Sequence, residues 1–456
     1  MKRIYIFLLV FTSLLFACDV DEVNDPNNPS LGGVLSDASK AELQVLVTGL
    51  EARGRVYFTN ATQMFGSFGR EVWAYFGSDP RFQNDWLGIA RTETYPDFFA
   101  SAGTYVNPYL AVKQANVLIQ AVENTSSVTA QEAAGYTGFA KTIKAYQLIW
   151  PLMQQYQNGI RIDVEDPLDP GPTLGYNDAL AAIRQILDDG MSDLQSAGDN
   201  FSFALSTGFA GFSSPSGMMQ VNRAIAARLA LYAGDYPAAL SALGGSFMDM
   251  DVTPATSAKM NVGPRHVYGE APDVNNPLYY PPDAATSTIL IVHPAMVEDA
   301  LPGDARVDNK FFKRTNPVSN SNIQDSDGNN IPGEYQDARW ATNTTSIPFI
   351  RNEELILIYA EASLMNGDPG AAVDAINVVR NTWNLADYSG GNSTDDLMEE
   401  ILFQRRYSLW AEGGHRWIDL RRTGRLNDTY VDLRDGGNIF DQVSRRTSEI
   451  NWDQSN

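Results

Sequence analysis

The sequence predicts a mostly α-helical body, with tetratricopeptide-like helix pairs forming a scaffold and long irregular, aromatic-rich insertions forming a ligand face. Three observations predict it. Apolar residues recur at helical spacing over much of the chain. A Gly-Asp junction between two helices occurs twice, with similar residues around it. Two long stretches lose that periodicity yet stay rich in aromatic rings.

At the N-terminus, Lys2 and Arg3 precede an apolar run from Ile4 to Phe16, broken only by Thr12 and Ser13. Ala17 then precedes Cys18, the single cysteine of the chain. This layout predicts a secretory signal peptide over residues 1–17, because the run is too short to span a bilayer. Leu15-Phe16-Ala17-Cys18 resembles a bacterial lipobox, which makes Cys18 the expected lipidation site and mature N-terminus. Residues 18–36, dense in Asp, Asn, Pro and Gly, read as a lipidated tether of at most about 60 Å. Asp19, Asp21 and Glu22 resemble a signal for display on the outer face. Residues 37–456 are expected to form one domain.

No second apolar stretch reaches membrane-spanning length, so the expected membrane contact is the lipid anchor alone. Loss of residues 1–17 deepens the net charge from −22 to −24. Such a body repels nucleic acid and anionic headgroups and leaves neutral or cationic ligands.

Within the domain, residues 107–123 and 129–157 read as helices. Leu180, Ile183, Leu187, Met191 and Leu194 fall on one stripe, entered through Asn177 or Asp178 as N-cap. Val221, Ala224, Ile225, Leu229 and Tyr232 form another stripe. Two more helices are expected, from about Asn352 to Met365 and from Ser393 to Trp410, the latter with Ser393 and Asp396 spaced as a capping box. Few strands are expected.

Leu231-Tyr-Ala-Gly-Asp-Tyr-Pro-Ala-Ala-Leu-Ser-Ala-Leu243 aligns with Leu364-Met-Asn-Gly-Asp-Pro-Gly-Ala-Ala-Val-Asp-Ala-Ile376. Glycine can end a helix in the left-handed conformation, and the aspartate that follows can cap the next. Small alanines at 238, 239, 371 and 372 then allow close helix approach. The pattern resembles tetratricopeptide pairs, here interrupted rather than regular. Residues 137–157 and 176–194 are expected to add further pairs.

The aperiodic stretches are 57–106, with 13 aromatics in 50 positions against 11% for the whole chain, and 245–350, dense in Pro, Gly, Asn and Asp. Long irregular segments with such content read as a binding face. Trp73, Tyr75, Trp86, Tyr279, Tyr280 and Trp340 are the expected ring contacts for a sugar. Arg81, Asn84 and Asp85 are the expected polar partners. Any one of these aromatics could instead be core.

The C-terminal third carries a resemblance. Arg351-Asn-Glu-Glu-Leu-Ile-Leu-Ile-Tyr-Ala-Glu-Ala362 and Arg405-Arg-Tyr-Ser-Leu-Trp-Ala-Glu-Gly-Gly-His-Arg-Trp-Ile-Asp-Leu-Arg-Arg-Thr-Gly424 resemble SusD/RagB segments. Asp304-Ala305-Arg306 matches a short element before them. The family's Gly-Asp-x-Pro turn is replaced by Asn158-Gly159-Ile160-Arg161. The resemblance implies a cell-surface lipoprotein of the outer membrane that binds nutrient, an oligosaccharide or a peptide. It further implies that the protein acts as the lid of a SusC-like TonB-dependent transporter, with no catalysis and no cofactor.

Two other classes predict different sequences. A tetratricopeptide scaffold without a small ligand would show regular short repeats and no long aromatic insertions. A surface glycoside hydrolase would set two carboxyl groups face to face. Glu412, His415 and Asp419 invite an acid–base reading, but no nucleophile or metal pattern accompanies them, and they read as structural. Three histidines and no further cysteine disfavour a zinc site. Asp325-Ser-Asp-Gly-Asn-Asn330 opens like a calcium loop but has Asn330 and Gln336 where an EF-hand needs Gly and Glu. A hydrated turn is expected there, and no metal.

Overall fold

The computed structural model describes residues 31–455, apart from 77–78, 93, 96, 167 and 285–287. The expected signal peptide, Cys18 and residues 18–30 of the expected tether lie outside the described residues. The remainder of that tether is part of the body. Leu31–Asp37 form helix α1, which buries Val34 and packs Leu35 on the main core, so the domain begins ahead of residue 37.

The helices follow as α2 (Lys40–Gly54), α3 (Ala102–Asn124), α4 (Ala130–Gln155), α5 (Tyr176–Ser196), α6 (Pro215–Ala233) and α7 (Tyr236–Gly244). Beyond a long interruption come α8 (Asn352–Met365), α9 (Pro369–Thr382), α10 (Thr394–Ser408), α11 (His415–Arg422) and α12 (Thr447–Ser455). Each helix from α3 to α9 packs on the next, and α10 packs on α8, which gives the stacked-pair scaffold the sequence predicts.

Local chemistry sets the boundaries. Thr129 caps α4 in a reciprocal box with Glu132, and Ser393 caps α10 in one with Asp396. At the entry to α5 the expectation fails: the N-cap is Gly175, with no side-chain bond, and Asp178 sits inside the first turn, where a carboxylate favours the helix dipole.

The two repeat junctions are alike in detail. Gly234 and Gly367 have φ of 69° and 89°, and the N–H groups of Asp235 and Asp368 reach back to Ala230 O and Ser363 O at 2.9 and 2.8 Å. Each aspartate then accepts the orphan amide three residues on, Ala238 at 3.1 Å and Ala371 at 3.0 Å. Asp235→Ala and Asp368→Ala are each expected to cost about 1 kcal/mol, read as a lower urea midpoint. An unchanged midpoint in both would remove the cap from the account.

Few strands are expected, and the described residues hold little sheet, most of it in one place. An antiparallel sheet of four strands, β1 (Val72–Phe76), β2 (Thr288–Val292), β3 (Phe311–Val318) and β4 (Gly333–Asp337), lies in the order β1-β2-β4-β3. One face buries Val72, Leu290 and Val292 against Phe311, Tyr407 and Trp410. On the other, Trp73, Tyr75, Ile289 and Ile291 pack with Leu87 and Ile323. With both faces covered, β2 reads as a short apolar run without alternation, which periodicity cannot separate from a buried helix turn.

The stretch 57–106 is only partly an open face. A helical run over 58–68, with a π-helical turn at Ala61–Phe65, sends Phe58, Phe65 and Phe68 into the core beside Phe98, Trp417 and Phe440. At the altered family turn, Gly159 has φ of 69° and Leu174 O lies 2.1 Å from where a Cβ would stand, so only glycine fits. Ile160–Arg161 then pairs with Thr173–Leu174.

Candidate functional site

The structure divides the nine expected ligand residues into three groups. Trp73 and Tyr75 stand on the outer face of β1 and are covered by the β3–β4 connection through Val318, Ile323 and Ile331. Trp73 Nε1 donates to Asp435 at 2.9 Å, and Tyr75 OH donates to Val318 O at 3.3 Å. Both rings are core, with their single polar atoms satisfied by the chain. That corrects the expectation that they stack on ligand.

Trp86 and Asp85 are likewise buried. Trp86 Nε1 donates to Phe99 O at 3.0 Å, and Asp85 accepts from Phe99 N at 2.9 Å. Burial raises the Asp85 pKa against the pull of that amide and of Arg91. These two residues hold a loop in place and do not face solvent, a second correction.

Tyr279, Tyr280 and Trp340 form the next group, all half-buried. Asn276 ties their two segments together, donating from Nδ2 to Thr345 O and from its N–H to Asn343 O. Tyr280 leans on the inner face of the sheet. The Arg339 guanidinium lies 4.9 Å from the Trp340 ring centre and 4.8 Å from that of Trp410, so Trp340 is half of a cation–π sandwich.

Arg81 and Asn84 remain, and around them the structure builds a surface. Both project from the single helical turn Arg81–Asn84, three residues apart and therefore on one face. Phe82 turns the other way, meeting Trp86 and Phe99 edge-on at 4.7 Å from each. The Arg81 guanidinium lies 4.2 Å from the Phe99 ring centre. Arg91 lies 4.6 Å from the ring of Tyr95, which is exposed. The Asn84 carboxamide makes no hydrogen bond within the protein among the described residues.

Asp79 fixes the guanidinium. It accepts from Arg81 N and Nε, both at 3.0 Å, and from Nη2 at 2.6 Å. The same Asp-x-Arg fork closes three more times. Arg306 on Asp304 spends its remaining Nη1 on Ser408 Oγ at 2.9 Å. Arg339 on Asp337 spends it on the carbonyls of Trp410 and Ala411. Arg434 on Asp432 spends it on Glu298 at 2.8 Å. Arg81 alone of the four leaves Nη1 without a partner among the described residues, on a side chain 62% exposed. A planar fork already held by its carboxylate presents that edge to a ligand with little further entropy loss.

Sequence reasoning missed Asp79, Phe82, Arg91, Tyr95 and Phe99. The Asp-x-Arg spacing was the available signal.

The acid–base trio is fully committed. Glu412 pairs with Arg351, and Asp419 pairs with Arg405 and Arg422. His415 Nδ1 lies 3.3 Å from Tyr232 OH, and burial pushes the imidazole down to about 4, so it is neutral. In the 325–330 loop, Asp325 Oδ1 accepts the amides of Asp327 and Asn329 at 2.9 and 2.8 Å, a closed turn of the chain's own groups. Among the described residues no cluster of three or more His, Cys, Asp or Glu could hold a metal. No helix among them is long and apolar enough to cross a membrane.

Comparison with known proteins adds the family. Residues 309–456 match the model of the SusD family. A curated relative, SusD-like protein P38 of Formosa agariphila, is 35% identical over 89 residues, a match spanning 18% of this chain and 18% of that relative's length. Among solved structures, a SusD superfamily protein of Bacteroides fragilis superimposes with a TM-score of 0.67 at 14% identity, covering 91% of this chain and 98% of that one. Surface glycan-binding protein A of Bacteroides uniformis gives 0.66 at 13%, covering 92% and 99%. A laminarin-binding SusD-like protein gives 0.61 at 17%, covering 89% and 96%. At these identities the structural likeness shows the shared fold.

Proposed function

This chain belongs to the SusD/RagB family, and we propose that it captures nutrient at the cell surface, binding an oligosaccharide at the Arg81 platform without turning it over. The observation that carries this reading is the uncommitted edge of Arg81. A rigid fork with one free N–H edge suits pairs of sugar hydroxyls, the Asn84 carboxamide adds a donor and an acceptor, and the exposed Tyr95 ring suits the apolar face of a sugar. Engagement of Glu412, His415 and Asp419 in ion pairs and packing supports binding without catalysis.

In this reading Cys18 carries the lipid and anchors the protein to the outer membrane, facing the exterior. The partner is a SusC-like TonB-dependent barrel, on which the helical stack docks as a lid.

Calorimetric titration with a panel of oligosaccharides tests the platform. Arg81→Ala and Arg81→Lys should each weaken binding by about tenfold or more, because lysine cannot reproduce the fork. Their unfolding midpoints should stay put, since an exposed pair contributes little to stability. Wild-type affinity in both variants would sink the platform.

A further inference from the structure

A second ligand-sized space lies apart from the platform. A cleft of about 1240 Å³ runs beside α3, with α4, α5, residues 161–170 and α12 on its other sides. None of the nine expected ligand residues lines it. Its size exceeds that of the usual small-molecule pocket and suits an extended ligand.

Tyr105, Tyr109, Asn116 and Gln120 of α3 line it, a ledge of roughly 22 Å at the helical rise per residue. The two tyrosine rings lie 5.1 Å apart, and half-buried Trp452 of α12 also lines the cleft.

Charge decides the ligand class. Four basic and five acidic side chains line the cleft, so it has almost no net sign with which to select an ion. Several are already paired: Lys144 with Glu165 at 2.8 Å, and Arg161 with Glu449 and Asp453. The uncharged groups are less settled. Both polar atoms of the Asn116 carboxamide are shielded from solvent and have no hydrogen-bond partner. A buried amide left this way destabilises the fold, and a ligand that turned it outward would satisfy both atoms.

We propose that this cleft is a second binding site, for a neutral, hydroxyl-rich chain of several sugar units, with Tyr109 and Trp452 as its aromatic walls and Asn116 as its amide. The proposal rests on the nutrient reading above, and its test separates the two sites. Trp452 suits the purpose because α12 buries none of its residues, so truncation there cannot open the core.

The experiment is calorimetric titration with hexasaccharides of β-1,3-linked glucose, α-1,4-linked glucose and β-1,4-linked xylose. The samples are the wild-type chain, Arg81→Ala/Asn84→Ala, and that double variant carrying either Trp452→Ala or Tyr109→Ala. At least one hexasaccharide should still bind once the platform is removed, and Trp452→Ala should then weaken that binding about tenfold or more. Residual binding indifferent to both cleft substitutions overturns the cleft, as does complete loss of binding on removing the platform. Wild-type binding that survives platform removal unchanged, yet falls with Trp452→Ala, overturns the platform and keeps the cleft.

Discussion

Arg228→Ala is expected to lower folding stability by about 3–5 kcal/mol, whereas Arg228→Met combined with Glu354→Leu should cost far less. The two side chains are each 2% exposed and meet in a bidentate pair, Nε to Oε1 at 2.6 Å and Nη2 to Oε2 at 2.5 Å. Nη2 also donates to Phe349 O at 2.9 Å, so the guanidinium staples α6 to the start of α8. Removing only the arginine strands a buried carboxylate whose other neighbour, His415 Nε2, is 3.9 Å away on a ring held neutral. Removing both charges exchanges desolvation for packing, which buried pairs often tolerate. Guanidinium unfolding of the single and double variants decides the matter, and equal losses in both would show that the charge left behind is not the cause.

Glu71→Gln is expected to stabilise the protein, and increasingly so as pH rises. Glu71 is fully buried at the entry to β1, with neither carboxylate oxygen hydrogen-bonded. Burial pushes its pKa up to about 8, opposed only in part by Arg416, Arg406 and Arg339. The sign follows from proton counts. Between the unfolded value of 4.5 and about 8 the folded chain keeps a proton that the unfolded chain has released, so stability falls as pH climbs through that window. Above it the loss is complete, at most about 5 kcal/mol. Glutamine has the same shape and no charge, so the difference between wild type and variant should grow from pH 5 to pH 8 and then level off. A difference independent of pH would mean that Glu71 is ionised in the fold.

The first of these sites shows why the resemblance is specific. The segment from Arg351 to Ala362 reads as a polar-led helix, and the structure buries Arg351, Asn352, Glu353, Glu354 and Glu361 as a web of ion pairs and hydrogen bonds. Such residues announce themselves in sequence because charged groups interrupt an apolar stripe. Gly234-Asp235 and Gly367-Asp368 were legible for a related reason, since their chemistry is local. The sheet was not. Trp73↔Ile291 and Tyr75↔Ile289 pair residues more than two hundred positions apart, and Thr288–Val292, though rich in β-branched residues, has no alternation that points to a partner.

The proposed binding face is half legible in the sequence. Arg81 and Asn84, expected from their chemistry, stand on an open surface, while the aromatics expected with them are core or half-core. Ring content alone does not reveal burial, because a tryptophan in a strand and one on a rim look the same in sequence. Asp79-Pro-Arg81, Asp304-Ala-Arg306, Asp337-Ala-Arg339 and Asp432-Leu-Arg434 share one spacing. A fifth, Asp419-Leu-Arg421, is helical, and its arginine turns instead to Met153 O and Asp441 O. Only the fold distinguishes the fork whose outer edge is free.

The central claim is that a glycan is held at this edge. Hydrogen exchange of backbone amides, with and without a saturating oligosaccharide identified by the titrations, tests it directly. Slower exchange over residues 79–92 and 97–100, abolished in Arg81→Ala, is the predicted result. Saturable binding that leaves those amides unchanged would contradict the account.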